Sequence, residues 1–253
     1  SEELYKYVFY LILFFLGSVL MRSAGCIVND IFDRDIDKKV SRTKDRPIAS
    51  GKISVKLGLF YSTMLCLLAL FVLLNFNKFT IILALGSMPL AFLYPLIKRY
   101  TYWPQLFLGF TFNYGLILGW SCIRNDVDII PILFYLGAIF WTLGFDTIYG
   151  FQDIEDDEII GIKSTSIKFK KNPKSFLLLC YSIFILSLII VGIFMKFNIV
   201  YFFLLIFPIA HLFFYQIFTL NINNVKNCFN IFKSNNYLGF VIFLNILIGK
   251  VIV

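Results

Sequence analysis

Asn29, Asp30, Asp33, Asp35 and Asp37 crowd into one short stretch, and Asp146, Asp153, Glu155, Asp156, Asp157 and Glu158 form a second group far along the chain. On a helix, Asn29, Asp33 and Asp37 stand at i, i+4 and i+8 and share a face; Asp146 and Asp153 are seven apart, with Asp157 four further on. Stripes of like charge repel and lose hydration unless something cationic offsets them. Carboxylates and an amide carbonyl are hard oxygen ligands that suit Mg²⁺. Basic residues accompany both groups: Arg34, Lys38, Lys39, Arg42, Lys44, Arg46, Lys98, Arg99 and Lys163. Bases beside acids make little sense for a metal alone. They make sense where metal ions and phosphate oxygens arrive together, so the pattern points to a diphosphate held through Mg²⁺. An ordinary solvated loop has no reason to repeat the four-residue spacing in two distant places.

The elements that must position these residues are membrane helices. The chain has 253 residues, 59% hydrophobic and 15% charged, with mean hydropathy +0.82. A soluble globule is nearer 45–50% apolar and about 25% charged, which excludes a water-soluble enzyme. Eight apolar runs are long enough to cross a bilayer, which takes about 20 residues: Tyr5–Val28, Val55–Leu74, Phe79–Ile97, Pro104–Cys122, Ile129–Tyr149, Ser175–Met195, Ile199–Leu220 and Tyr237–Val253. None alternates strictly, so the expected class is all-α, a polytopic membrane helical bundle rather than a barrel. Both acidic groups fall where a span ends. Seventeen of the 23 Lys and Arg residues lie in Asp30–Lys56, Lys98–Trp103, Gly150–Lys174 and Asn221–Asn236. The positive-inside rule puts these loops in the cytoplasm and both ends of the chain outside. The net charge of +8 then speaks of topology and anionic ligands, and no nucleic acid is expected. Cys26, Cys66, Cys122, Cys180 and Cys228 form no C-x-x-C pair and read as packing residues. His211 lies inside a span and reads as structural, and Asp126 and Asp128 as a plain turn. The Gly115-Leu-Ile-Leu-Gly119 run reads as close helix packing.

Asn29-Asp30-Ile-Phe-Asp33-Arg34-Asp35-Ile-Asp37 resembles the N-D-x-x-D-x-x-x-D motif of the UbiA superfamily of intramembrane aromatic prenyltransferases. The likeness continues through Arg22-Ser-Ala-Gly-Cys26, Arg46-Pro-Ile-Ala-Ser-Gly51 and Tyr94-Pro-Leu-Ile-Lys98-Arg99-Tyr-Thr-Tyr-Trp-Pro104-Gln. Asp146-Thr-Ile-Tyr149-Gly-Phe-Gln152-Asp153-Ile-Glu-Asp156-Asp157, followed by Gly161-Ile-Lys163-Ser-Thr165, is similar to the second aspartate motif. These segments look most like the 4-hydroxybenzoate polyprenyltransferase branch, which makes a ubiquinone precursor. The good match runs from about Met21 to Ser166. The family has nine transmembrane helices, so the resemblance implies one prenyltransferase domain over residues 1–253 that is short of the first helix. Asp45 stands where the family usually carries a neutral residue.

The resemblance implies transfer of a polyprenyl group from its diphosphate to the ring of 4-hydroxybenzoate in a bacterial inner (cytoplasmic) membrane, or less readily a mitochondrial one. Mg²⁺ would be held by Asn29, Asp33, Asp153 and Asp157, with Asp30 and Asp37 close by, and would stabilise the leaving diphosphate. Lys98, Lys163 and Arg46 would bind diphosphate oxygens. Arg34 and Arg99 would clamp the acceptor's carboxylate, Asp153 would polarise its phenol, and Tyr149, Asn113 and Asp146 would help bind substrate. Phe and Tyr side chains would line a tunnel for the prenyl tail, and lipid would cover the outside. Other acceptors remain open: a naphthoate, homogentisate, haem or a chlorin, as in sister branches. A cation transporter is a reading from another class, but transporter sites usually sit near mid-bilayer on broken helices, whereas these acids sit at span ends. Chain length of the prenyl group and oligomeric state are not legible.

Overall fold

In the computed structural model, residues 2–40, 43–97 and 99–251 are described. They form helices and no strand: α1 (Glu2–Asp37), α2 (Val55–Leu73), α3 (Lys78–Ile97), α4 (Pro104–Phe112), α5 (Gly115–Arg124), α6 (Ile129–Gly150), α7 (Ile154–Ile160), α8 (Thr165–Lys168), α9 (Pro173–Phe194), α10 (Ile199–Leu204), α11 (Ile206–Ile209), a π-helical segment (Ala210–Ile217) and α12 (Val225–Val251). Seven stretches among the described residues are long and apolar enough to cross a membrane: Leu4–Asp37, Val55–Leu73, Pro104–Arg124, Ile129–Gly150, Pro173–Phe194, Ile199–Ile217 and Val225–Lys250. The remaining expected span lies in α3, whose described apolar part, Lys78–Leu93, is shorter. The chain is a multi-pass membrane protein. It divides into two compact units, Ser1–Leu96 with Ser121–Asn125, and Ile97–Trp120 with Asp126–Val253.

In the first unit α1 and α2 run side by side, with small residues where they meet. Ala24, Ser62 and Ala69 are buried. A Cβ on Gly58 would lie 3.1 Å from Ile48 Cδ1 and 3.4 Å from Ile31 Cδ1. Lipid offers apolar side chains as good a home as another helix does, so association relies on such close approach. Tyr10 stacks on Phe76 at the far end of the pair. Asn77 fixes the next turn: its Oδ1 accepts from Thr80 N, while its Nδ2 donates to Ser121 O and Cys122 O.

The second unit is built on α6 and α9. Gly137 faces Ser187 and Gly144 faces the Tyr181 ring so closely that a Cβ at either glycine would collide. Tyr201 is gripped similarly, by Gly192 of α9 and Gly249 of α12. Two expected boundaries move. The Pro104–Cys122 span is interrupted at Asn113-Tyr114, because the Asn113 side chain bonds backbone rather than extending the helix: Nδ2 reaches Gly109 O and Ala138 O as well as Thr142 Oγ1. The last helix begins at Val225 rather than Tyr237, so the stretch read as an Asn221–Asn236 loop is largely helical. Its buried seam, Cys228, Ile231, Asn235, Leu238, Ile242 and Asn245, alternates steps of three and four, which is a helix-packing repeat. Asn and Lys on the other faces disguised it as a loop. Asp128, read as a turn residue, caps α6 by accepting from Ile130 N.

The π-helical segment follows Pro208, which has no N–H to give to Leu204 O, and the helix restarts around it. A π-turn brings residues five apart together, and Gln216 Nε2 meets His211 Nδ1 at 3.2 Å. Gln216 is completely buried. Its Oε1 accepts from Tyr181 OH at 2.6 Å, its Nε2 donates to Asn235 Oδ1 at 2.9 Å, and Asn235 Oδ1 also accepts from Trp141 Nε1. This network joins α6, α9, α12 and the π-segment. Gln216→Leu should strip the buried Tyr181 hydroxyl of its acceptor and lower stability by roughly 1–3 kcal/mol. Thermal melting in detergent checks this, and adding Tyr181→Phe should recover part of the loss; an unchanged melting temperature in the single variant would refute the role.

Candidate active site

The first acidic stretch lies on the last turns of α1, which stays helical through Asp37, so the expected shared face exists. Asp33 is 1% and Asp37 5% exposed, while Asn29 and Asp30 are half-buried. Burying carboxylates this fully calls for positive charge nearby. Arg46 supplies it from the following loop: Nη1 lies 3.0 Å from Asp30 Oδ1 and 3.1 Å from Asp37 Oδ2. That loop is folded back by Thr43 Oγ1 donating to Asp37 O, and by Ser50 N donating to Arg46 O. Arg46, expected to bind diphosphate, is thus seen bridging two acids. Arg34 points elsewhere, its Nε 3.3 Å from Asp35 Oδ1, at an open cavity shared with Lys38 and Lys56. Lys98 and Arg42 lie outside the described residues.

The second acidic stretch lies in the second unit. Asp146 is on α6, but that helix ends at Gly150 and α7 starts at Ile154, so the helical phase expected between Asp146 and Asp153 is broken by a turn. Asp153 sits at the start of α7, and the spacing to Asp157 survives: Asp157 N donates to Asp153 O at 2.8 Å. The short helix ends where Gly161 adopts φ +81°, a left-handed position that favours glycine. Asp146, Asp153 and Asp157 are all half-buried. Lys163, just beyond, donates to Tyr100 O at 3.2 Å and lies 5.7 Å from the Tyr102 ring centre. Arg99 is exposed.

Sequence reasoning passed over the residues that hold this loop. Gln105 Oε1 accepts from Thr165 N, Thr165 Oγ1 lies 2.6 Å from Thr147 Oγ1, and Ser166 Oγ donates to Thr147 O; all four residues are buried. The run of small polar residues at Ser164-Thr165-Ser166 was the signal. Tyr149 packs on Phe232 with ring centres 4.4 Å apart, and Asn113 is committed to bracing α4 against α6.

Within each unit, no group of three or more His, Cys, Asp or Glu side chains is gathered as a metal cage among the described residues. The donor set nevertheless fits Mg²⁺, which usually takes only one or two carboxylates and completes its shell with water and substrate phosphate. Buried Asp33 and Asp37, one turn apart beside the Asn29 carbonyl, are such donors, and so are Asp153 and Asp157.

A model of the UbiA prenyltransferase family matches residues 4–246. The mitochondrial 4-hydroxybenzoate polyprenyltransferase of Bos taurus is 45% identical over 94% of this chain, which spans 64% of that protein's length. A 4-hydroxybenzoate octaprenyltransferase of Francisella tularensis subsp. novicida is 41% identical over 93% of this chain and 82% of its own. Among solved structures, an apo UbiA homolog from Aeropyrum pernix K1 shares the fold at a TM-score of 0.79 and 22% identity, covering 94% of this chain and 88% of that one. A UbiA homolog from Archaeoglobus fulgidus bound to GPP and Mg²⁺ matches at a TM-score of 0.69 and 20% identity, over 94% and 85%. Motif, membrane helices and family match agree, and the chain belongs to the UbiA prenyltransferase family.

Proposed function

We propose that this protein transfers a polyprenyl group from its diphosphate to the ring of 4-hydroxybenzoate, with Mg²⁺ as cofactor, as a step towards ubiquinone. The reading places it in a bacterial inner membrane with the acidic helix ends towards the cytoplasm. The names of the bovine and Francisella relatives support the acceptor, and the Archaeoglobus homolog's GPP and Mg²⁺ support the donor and cofactor. The observation that carries the reading is the pair of buried carboxylates, Asp33 and Asp37, at the end of a membrane helix, with Arg46 set against Asp37 and Asp30. Such a stripe is costly to maintain unless cationic cargo is handled there.

Asn29, Asp30, Asp33, Asp37, Asp153 and Asp157 would hold the metal. Bound there, Mg²⁺ would neutralise the departing diphosphate and so ease ionisation of the allylic carbon–oxygen bond. Lys163 and Lys98 bond to diphosphate oxygens, and Arg46 keeps Asp30 and Asp37 oriented until substrate arrives. Arg99 pairs with the acceptor's carboxylate. Asp153 accepts a hydrogen bond from the phenol, raising electron density on the adjacent ring carbon. Once the carbon–oxygen bond has broken and its electron pair has left with diphosphate, the new carbon–carbon bond forms at that ring carbon, whose proton then passes to the released diphosphate. Apolar helix faces keep water from the allylic cation.

Asp33→Asn and Asp153→Asn should each lower turnover at least about 100-fold, or about 2.7 kcal/mol in the barrier, while membrane insertion stays intact; either variant keeping above a tenth of the activity argues against the shared metal role. Arg46→Ala should reduce both thermal stability and turnover, and Arg46→Lys should restore stability better than turnover, since one ammonium replaces a planar fork poorly. Stability identical in all three proteins would remove the bridge from the account. In an acceptor panel with one long prenyl diphosphate, Arg99→Ala should raise KM for 4-hydroxybenzoate and leave it unchanged for a phenol without the carboxylate. Preference of the unaltered protein for a naphthoate or homogentisate would reassign the acceptor.

A further inference from the structure

Within the first unit, a cavity of about 440 Å³ opens between the end of α1 and the start of α2, lined by Arg34, Lys38, Ile48, Ser54, Val55 and Lys56 among others. None of Asn29, Asp30, Asp33 and Asp37 lines it, because Arg34 and Lys38 stand one position on from Asp33 and Asp37, about 100° around the helix. Two of the three lining cations share one carboxylate: Arg34 Nε and Lys38 Nζ lie 3.3 and 3.5 Å from Asp35 Oδ1, whose side chain is 77% exposed, and Lys56 is the third. The site therefore keeps a positive excess. Ser54 Oγ accepts from Leu57 N, which leaves its own proton to donate. Ile48, Ala49, Ile53 and Val55 give the cavity an apolar wall, and the first turns of α2 beyond it expose Leu57, Leu59, Phe60 and Tyr61.

The level of this cavity matters. Ser54 is the N-cap of α2, whose apolar stretch starts at Val55, so Ser54 and Lys56 stand where hydrocarbon gives way to headgroups. A phosphodiester at that depth carries negative charge above and acyl chains below, which is the cavity's own division into cations and apolar wall. Basic pockets between membrane helices are suited to such headgroups. A soluble anion would use the cations but leave the apolar wall without a role. We propose that this cavity is a phosphate-binding site for an anionic phospholipid of the surrounding leaflet. The proposal does not depend on the transferase reading, since none of the residues that hold metal, diphosphate or acceptor in that reading lines the cavity.

The test is thermal stability of the full chain in mixed detergent micelles containing phosphatidylglycerol, phosphatidylcholine or inorganic phosphate at millimolar concentration. Phosphatidylglycerol should raise the melting temperature by several degrees, and phosphatidylcholine, with the same phosphate but no net charge, by little. In Lys38→Gln/Lys56→Gln at least half of the shift should disappear, while Lys226→Gln/Lys233→Gln, two lysines outside the cavity, should retain it. Equal shifts in the two double variants would reduce the effect to general surface charge and overturn the site. Inorganic phosphate reproducing the whole shift would overturn a lipid as its source. Lys56→Arg, which keeps the charge, should behave as the unaltered protein; loss of the shift in that variant with unchanged starting stability would also count against the assignment.

Discussion

Two buried carboxylates at the end of a membrane helix cannot be left to themselves. Their mutual repulsion and lost hydration would each favour unwinding of the helix end. For Asp37 the answer in this protein is Arg46, held in the loop after α1, with one nitrogen shared between Asp37 and the half-buried Asp30. Much else depends on that arrangement. It keeps α1 helical nine residues beyond Val28, through to Asp37, and it ties the loop's fold to the charge of the site. The neighbouring face of α1 is basic, and there Arg34 and Lys38 turn to the cavity.

The second unit solves a different problem, close approach without a hydrophobic driving force. Glycines opposite tyrosines and a serine let α6, α9 and α12 come together, while the hydrogen bonds through Gln216 and Asn235 fix which residues meet. Small residues supply the proximity and buried amides the register. The turn that carries Asp153 hangs from this scaffold. α6 leads into it, and Gln105, Thr147 and Thr165 tie down the loop that follows.

The acidic faces were legible because a four-residue charge spacing at a span's end has few other meanings. The spans were legible because lipid demands long apolar runs. What escaped reading was whatever depended on tertiary partners. Arg46 reads as a phosphate ligand until Asp30 and Asp37 are seen beside it. The break between Asp146 and Asp153 leaves a single mark in the pattern, Gly150, which ends α6 but which a membrane helix can also carry. The first three turns of α12 hid behind Asn227, Asn230, Lys233 and Asn236, which resemble a polar loop unless Cys228, Ile231 and Asn235 are known to be buried. His211 was read as structural, and its partner, five residues on, follows only from the π-turn.

That π-turn also sets the chain's tolerance to changes in length. Between Ala210 and Ile217 the backbone holds a wider coil than an α-helix, so one residue could be lost there with the hydrogen-bonding simply reverting to α. Gln216 would then rotate by about 100°, away from Tyr181 and Asn235. In most helices a single deletion is harmful because the backbone cannot absorb it. Here the backbone could, and the buried amide could not. Chains of this family that lack the extra residue should therefore carry an apolar side chain in place of the glutamine, and a phenylalanine in place of Tyr181.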